Sequence, residues 1–547
     1  MDECLLKLNI NLIMSELKDS VKYFLIVLLA LSVSCNSSET KKTAVNIIPE
    51  PSSVVETGGF CKLKSKTAIF ISGFNESSLI SLFSDQVKEY LVVEPGDGTN
   101  ADIKIVMEPS KSPEGYALTV NKNNILISAG TLNGAFYGLQ TLRQLIIFSE
   151  KKNGKLFIPC CSIVDEPRYS WRGIMLDESR HFFGMEKVKQ MLDIMALHKL
   201  NIFHWHLTDC AGWRLEIKKY PKLTTVGGIG NNNEPDAPAT YYTQDQIREI
   251  VKYASDRFIQ VIPEIDMPGH AAASNRAYPE YSGGGSENYP EFTFNPGFDG
   301  TYSYLTDILK EVTELFPSPY IHLGGDEVHF GNQQWNTNMQ VKALMKKNKL
   351  SDLKAVEQYF VRRMADTIKS LKKTTVGWDE IVDLKLNPKD VVIMWWRHDK
   401  PFQLDSALAD KYNVVLCPRI PLYFDFVQYD THKWGRRWKG AYAELETVYN
   451  FPFDTLFRIQ EFKNQVLGIQ ANLWTEVIHN DKRLDFMTYP RLSALSEAAW
   501  TNGNIKEYSS FLVRLKPMLE YLKGKGIYYF DPFVPGQNPE PAGPEIK

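Results

Sequence analysis

Cysteine is scarce and unpatterned in this 547-residue chain: Cys4, Cys35, Cys61, Cys160, Cys161, Cys210 and Cys417, with no CxxC pair and no metal-site spacing. A disulfide framework is therefore not expected, and adjacent Cys160-Cys161 read as small apolar core residues. A charge imbalance is missing too. The 62 basic and 65 acidic residues leave a formal charge of −3, which gives no electrostatic footprint for nucleic acid. No GxGxxG follows the first strand of the α/β region, so the usual dinucleotide site of an open doubly wound sheet is absent. The apolar run Tyr23–Val33 is too short for an ordinary membrane-spanning helix. There is no internal repeat and no low-complexity tract.

What is present suits a large globular protein: 44% hydrophobic residues, 23% charged, and 12% aromatic with 11 Trp and 26 Tyr. At this length two or three domains are expected. Lys18 and Lys22 precede the apolar run, and Ser34-Cys35-Asn36-Ser37-Ser38-Glu39 follow it. A basic region, a short apolar region and small residues describe a secretory signal. Cys35 resembles the lipidated cysteine of a bacterial lipoprotein, although Ser32 stands where the usual lipobox has Leu. The expectation is a leader over 1–35 with the mature chain starting at Cys35, then a tether over 36–45. The protein would be exported and either secreted or lipid-anchored in the cell envelope, touching the membrane only through that anchor. Met14 is an alternative initiator.

From Asn46 to about Glu166, strand-like runs occur at Thr67–Ile71, Ile103–Met107, Tyr116–Val120 and Ile125–Ser128. Leu132–Phe148 reads as an amphipathic helix. This predicts a small α+β domain over 46–166. From Trp171 the rhythm becomes strand, loop, helix. Candidate strands are Gly173–Leu176, Ile202–Leu207, Ile259–Ile265, Tyr320–Leu323, Thr375–Trp378, Val391–Trp396, Val414–Cys417 and Leu467–Ala471. Helical patterns include Met185–Lys199, Thr243–Arg257, Tyr302–Phe316 and Leu353–Leu371, and Thr243 with Gln246 forms a capping box. Eight such units over residues 167–500 predict a (β/α)8 barrel, a TIM barrel of the α/β class. Residues 501–547 add one helix and a Pro/Gly-rich tail.

In such a barrel the loops after the strands' C-terminal ends build the site. Nearly every candidate strand here ends in carboxylates, imidazoles or indoles. They are Asp177 and Ser179-Arg180-His181, with Arg172 near that strand's beginning; His204-Trp205-His206 and Asp209; Glu264, Asp266 and His270; His322, Asp326 and Glu327; Trp378, Asp379 and Glu380; Trp395, Trp396 and Arg397; Tyr423 and Asp425; Trp474 and Glu476. In Tyr-Ile-His-Leu-Gly-Gly-Asp-Glu, residues 320–327, two glycines let the backbone turn before two adjacent carboxylates. Neighbouring side chains on an extended segment point to different sides, so Asp326 and Glu327 can reach two parts of one bound molecule. Each residue alone has a plainer reading. Arg172 or Asp177 can form a structural ion pair at the bottom or rim, and a single Trp is most often core. His204 and His206 alternate on a strand with no third ligand at recognisable spacing.

Trp171-Arg172-Gly173 with Leu176-Asp177, the Ser-Arg-His run, His-Trp-His-Leu-Thr-Asp, Pro-Glu-Ile-Asp-Met-Pro-Gly-His and His-Leu-Gly-Gly-Asp-Glu together resemble the signatures of glycoside hydrolase family 20, the β-N-acetylhexosaminidases. The match runs from about Asn46 to Trp500. It implies no cofactor and no metal, and a glycan or chitooligosaccharide as substrate. It also implies Glu327 as general acid/base and Asp326 as holder of the 2-acetamido group. Tyr423 would bond the acetamido carbonyl, while Trp378, Trp396 and Trp474 would wall the pocket. Arg172, Asp209, Asp425 and Glu476 would grip hydroxyls, with Asp266 and His270 as a supporting network. One departure is Cys210, where many relatives have a second acidic residue. Two other readings are release of a disaccharide, as by lacto-N-biosidases, and a non-catalytic surface glycan-binding protein. A family 18 chitinase would need a DxxDxDxE run, which is absent.

Overall fold

Eight short runs of apolar and β-branched residues, buried on both faces, pair in parallel and close on themselves. In the computed structural model, which describes residues 45–73, 78–108, 112–452 and 461–544, these are β1 (Trp171–Asp177), β2 (Ile202–His206), β3 (Gln260–Met267), β4 (Tyr320–Gly324), β5 (Thr374–Trp378), β6 (Val391–Trp395), β7 (Asn413–Leu416) and β8 (Val466–Leu473). The barrel is complete, since β8 pairs back onto β1 with Gln470 opposite Gly173. The predicted (β/α)8 architecture is thus present. The leader, Cys35 and residues 36–44 of the tether lie outside the described residues. Among those described, no helix is long and apolar enough to cross a membrane.

Strand alternation sorts the side chains. On β2, Ile202 belongs to the cluster with Val376 and Val392, and His204 packs on His322 and Trp378, so both point inward. Trp205 points the other way, against Tyr242 and Phe316 of the helical layer. The helix Gln244–Ser255 starts with the capping box read from the sequence: Thr243 Oγ1 accepts the Gln246 N–H, and the Gln246 side chain accepts the Thr243 N–H.

Before the barrel, eight strands form one mixed sheet. Its order is Ser53–Leu63, Lys155–Asp165, Tyr116–Val120, Ile125–Ala129, Ile103–Met107, Lys66–Ser72, Val92–Pro95, with Glu150–Lys152 added beside Lys155–Asp165. The buried helix Leu132–Ile147 covers one face and packs against the barrel helix Met185–Leu197. Asn46–Lys547 is one compact unit.

The seam between sheet and barrel corrects one expectation. Arg172 is the second residue of β1, so it lies at the closed end of the barrel rather than the mouth. It is fully buried and pairs with Glu114 of the preceding domain at 2.8 and 3.0 Å. It also donates to the Tyr169 and Lys199 carbonyls and to the Tyr137 hydroxyl. A parallel strand presents only its C-terminal end to the mouth. Arg172 is therefore a domain-seam residue and grips no substrate.

Candidate active site

Strand β4 delivers the two central carboxylates. Gly324 and Gly325 have φ of 73° and 90°, which any side chain would resist. A Cβ on Gly324 would also fall 1.8 Å from the Asp266 carboxylate, so this turn is closed to every other residue. The chain then places Glu327 itself at φ 52°, ψ 16°, a left-handed conformation uncommon for a residue that carries a Cβ, and continues into a 3₁₀ turn, Val328–Phe330. The product is a pair of adjacent carboxylates converging on one imidazole nitrogen. His270 Nε2 lies 3.5 Å from Asp326 and 3.8 Å from Glu327.

Behind His270 runs a chain of alternating charge. Its Nδ1 lies 3.1 Å from Asp209, whose other oxygen lies 3.0 Å from His206. His206 in turn meets Glu264 at 2.6 Å. Burial would lower the affinity of His270 for its second proton, but the Asp209, Asp266 and Asp326 carboxylates hold it well above the usual imidazole range. Burial raises Asp209, and the Arg180 and His270 charges then pull it well below the usual range. For Asp326 burial dominates and pushes the carboxyl up to about 8, against the opposing His270 charge. Asp266 is raised by burial and by Asp326.

A cavity of about 100 Å³ opens at the barrel mouth between these groups and an aromatic wall. Trp378, Trp396, Tyr423 and Trp474 line it. Trp396 and Tyr423 stack at 6.1 Å and 10°, and Trp378 and Trp474 stand 5.9 Å apart. Two indoles are fixed from behind: Trp378 donates to Glu264 at 3.0 Å and Trp396 to Glu380 at 3.0 Å. Its neighbour Trp395 is not among the lining residues and directs its N–H to the Lys400 carbonyl.

Beside Trp474, 5.1 Å from its ring, sits Arg180 of the Ser-Arg-His run, to which the resemblance assigned no individual role. Arg180 is anchored by Asp177 at 3.2 Å, pairs with Asp209 at 2.7 Å, and lies 3.9 Å from Glu476. It occupies the place expected of Arg172. Asp177 also accepts from the Ser179 and Arg180 backbone N–H groups, which shapes the loop. Arg436 and Arg419, on the loops after β7, also line the cavity, and no periodic signal marked them. Arg436 pairs with Glu476 at 2.7 Å and Asp425 at 3.1 Å. Asp425 and Asp266 lie fully or nearly buried behind the lining residues. Burial pushes Asp425 up to about 7, opposed by Arg436.

Five buried polar atoms on the cavity's lining residues have no hydrogen-bond partner: Asp326 Oδ1, His270 Nε2, Glu476 Oε2, Trp474 Nε1 and Arg419 Nε. Buried polar atoms are almost always paired, so five of them around one cavity mark a place built for a polar ligand. Several groups could hold a metal ion, among them His204, Glu264 and His322, and Asp266, His270 and Asp326, whose ligand atoms lie within 4.8 Å of one another. In the first of these, Glu264 lies 2.9 Å from His204 and 3.0 Å from His322.

Residues 169–503 match the catalytic domain of Glycosyl hydrolase family 20, and residues 44–166 match domain 2 of the same family. The chain belongs to glycosyl hydrolase family 20. Among its family 20 relatives is a β-hexosaminidase of Porphyromonas gingivalis, 35% identical over 508 residues. That match covers 89% of this chain and 64% of the relative. Of solved family 20 structures, the exo-β-N-acetylglucosaminidase of Vibrio harveyi, crystallised with N-acetylglucosamine, superposes with a TM-score of 0.81 at 31% identity. It covers 90% of this chain and 79% of that one. The β-N-acetylhexosaminidase of Bacteroides fragilis gives 0.77 at 32%, covering 88% and 96%.

Proposed function

We propose that this family 20 glycoside hydrolase is an exo-β-N-acetylhexosaminidase. It would remove terminal GlcNAc or GalNAc with retention of configuration, using the substrate's own acetamido group as nucleophile. The observation that carries this reading is the free, buried Oδ1 of Asp326, on the residue before Glu327, in a cavity walled by indoles.

In the first step the acetamido oxygen attacks the anomeric carbon while Glu327 gives its proton to the departing glycosidic oxygen. The C–O bond breaks and a cyclic oxazolinium forms. Attack within one molecule in good geometry is worth effective molarities of about 10⁵–10⁸ M, so no enzymatic nucleophile is needed. Asp326 accepts the amide N–H and offsets the positive charge growing on nitrogen. In the second step Glu327 takes a proton from water, the water attacks the same carbon from the vacated face, and the ring reopens. The Trp378–Trp474–Tyr423 wall encloses the acetamido methyl and excludes water. Arg180, Asp209 and Glu476 hold the hydroxyls, with Arg436 and Asp425 beside them.

The experiment is turnover of aryl β-N-acetylglucosaminide and β-N-acetylgalactosaminide, with the plain β-glucoside as control. Hydrolysis of the first two with an inert glucoside is expected; equal rates for all three would defeat the reading. Family resemblance and the leader together support an extracytoplasmic role, with Cys35 as lipid anchor.

Asp326 must be ionised to orient the amide, and His270 lowers its proton affinity. Removing that cation raises the Asp326 pKa, so at a given pH less carboxylate is present. His270→Asn should therefore move the ascending limb of kcat/KM to higher pH by about one unit or more. A limb that stays where it was would remove His270 from this role.

A further inference from the structure

On the outside of the barrel, a cavity of about 240 Å³ is lined from four helices. Ser78–Val87 and Leu132–Ile147 belong to the first domain, Met185–Leu197 to the barrel's outer layer, and Tyr508–Gly524 follows the barrel. Its wall holds a buried guanidinium, that of Arg143, which is 5% exposed. We propose that this cavity is a binding site for a small oxyanion of the phosphate or sulfate type, held by Arg143, Gln86 and Tyr521.

The charges on the wall do not cancel. Four basic and three acidic side chains line the cavity, and each acid already has its base. Lys88 meets Asp85 at 2.7 Å, Lys525 meets Glu89 at 2.7 Å, and Arg257 meets Asp193 at 2.6 Å. Arg143 is the cation left over. It has no carboxylate partner among the described residues. Its guanidinium donates to Gln140 Oε1 at 3.2 Å and to the Tyr521 hydroxyl at 3.1 Å, and its Nε donates to nothing. A buried charge without a counter-ion is costly, and an anion in the cavity supplies one.

The hydrogen bonds that run from Arg143 point the same way. An arginine can only donate, so Gln140 must turn its carbonyl oxygen toward it. The Gln140 amide N–H then donates to Gln86 Oε1 at 2.9 Å, which leaves Gln86 presenting its own NH₂ group. That nitrogen, Gln86 Nε2, is buried without a partner. Tyr521, accepting from Arg143, keeps its hydroxyl proton to give. Both unpartnered atoms and the Tyr521 proton are thus donors, which suits a ligand made of acceptors. At about 30 Å³ per water, the cavity has room for an oxyanion and several waters. Bound there, the ion touches both the first domain and the C-terminal helix, so it stabilises the folded chain according to its occupancy.

The test is thermal unfolding of the full chain in rising sodium phosphate, with sodium chloride of equal ionic strength as baseline for each variant. Expected for wild type is a saturable rise in melting temperature with a midpoint below about 1 mM phosphate. Gln86→Glu keeps the acceptor for Gln140 and turns the free NH₂ into a carboxylate oxygen, so it should raise that midpoint at least about tenfold. Arg143→Gln should abolish the saturable rise. Glucose 6-phosphate as a second probe separates a free ion from a phosphate ester, and with either probe a rise that needs Gln86 and Arg143 supports the site. No saturable rise in wild type, or the same rise in Gln86→Glu, would overturn the proposal.

Discussion

Glu327→Gln slows turnover of a β-N-acetylglucosaminide with a poor leaving group by at least about a hundredfold, because acid–base help in the transition state is worth about 10²–10⁴. Glutamine keeps the size and the left-handed backbone position, so folding is not at issue. It can neither donate a proton to the glycosidic oxygen nor take one from water. A leaving group that needs no protonation recovers the first step only, so the loss there is smaller and shifts to breakdown of the intermediate. Steady-state rates on an alkyl and a dinitrophenyl N-acetylglucosaminide test this. Unchanged rates on the alkyl substrate would strip Glu327 of its assignment.

Asp326→Asn separates chemistry from stability. The carboxyl is buried, and burial pushes its proton affinity up, so an isosteric neutral amide relieves a desolvation cost. The melting temperature should be unchanged or higher. Activity should nonetheless fall by about 10²–10³ in kcat, the usual loss when a preorganised electrostatic group facing the developing charge is removed. A fall in KM alone, or a variant that loses activity only because it unfolds, would contradict the role given to Asp326.

The barrel was legible because its strands are short, wholly buried apolar runs at regular spacing. Ile103–Met107 and Tyr116–Val120 are found with the ends read from the sequence, and the barrel strands within two residues. Two long strands of the first domain escaped. Ser53–Leu63 carries Gly58-Gly59 where its register with Lys155–Asp165 breaks, and its Val54, Val55 and Phe60 face solvent, so no alternation marks it. Pro159 lies within its partner strand, opposite Phe60, and a proline inside a run argues against a strand. Asp326, Glu327, Trp378 and Trp474 were legible because they sit at strand ends, where position alone assigns them to the mouth. Arg172 was misplaced because its motif spans a whole strand, and only strand direction separates it from Arg180. Arg419 and Arg436 come from the long stretch between β7 and β8, where no period constrains the chain.

The most direct measurement of the central claim varies the nucleophile itself. Aryl glucosaminides bearing N-acetyl, N-fluoroacetyl, N-difluoroacetyl and N-trifluoroacetyl groups differ chiefly in how readily the carbonyl oxygen donates electrons. If that oxygen attacks the anomeric carbon, log kcat/KM falls steeply and steadily with each added fluorine. If rates stay level across the series, some other group makes the first bond.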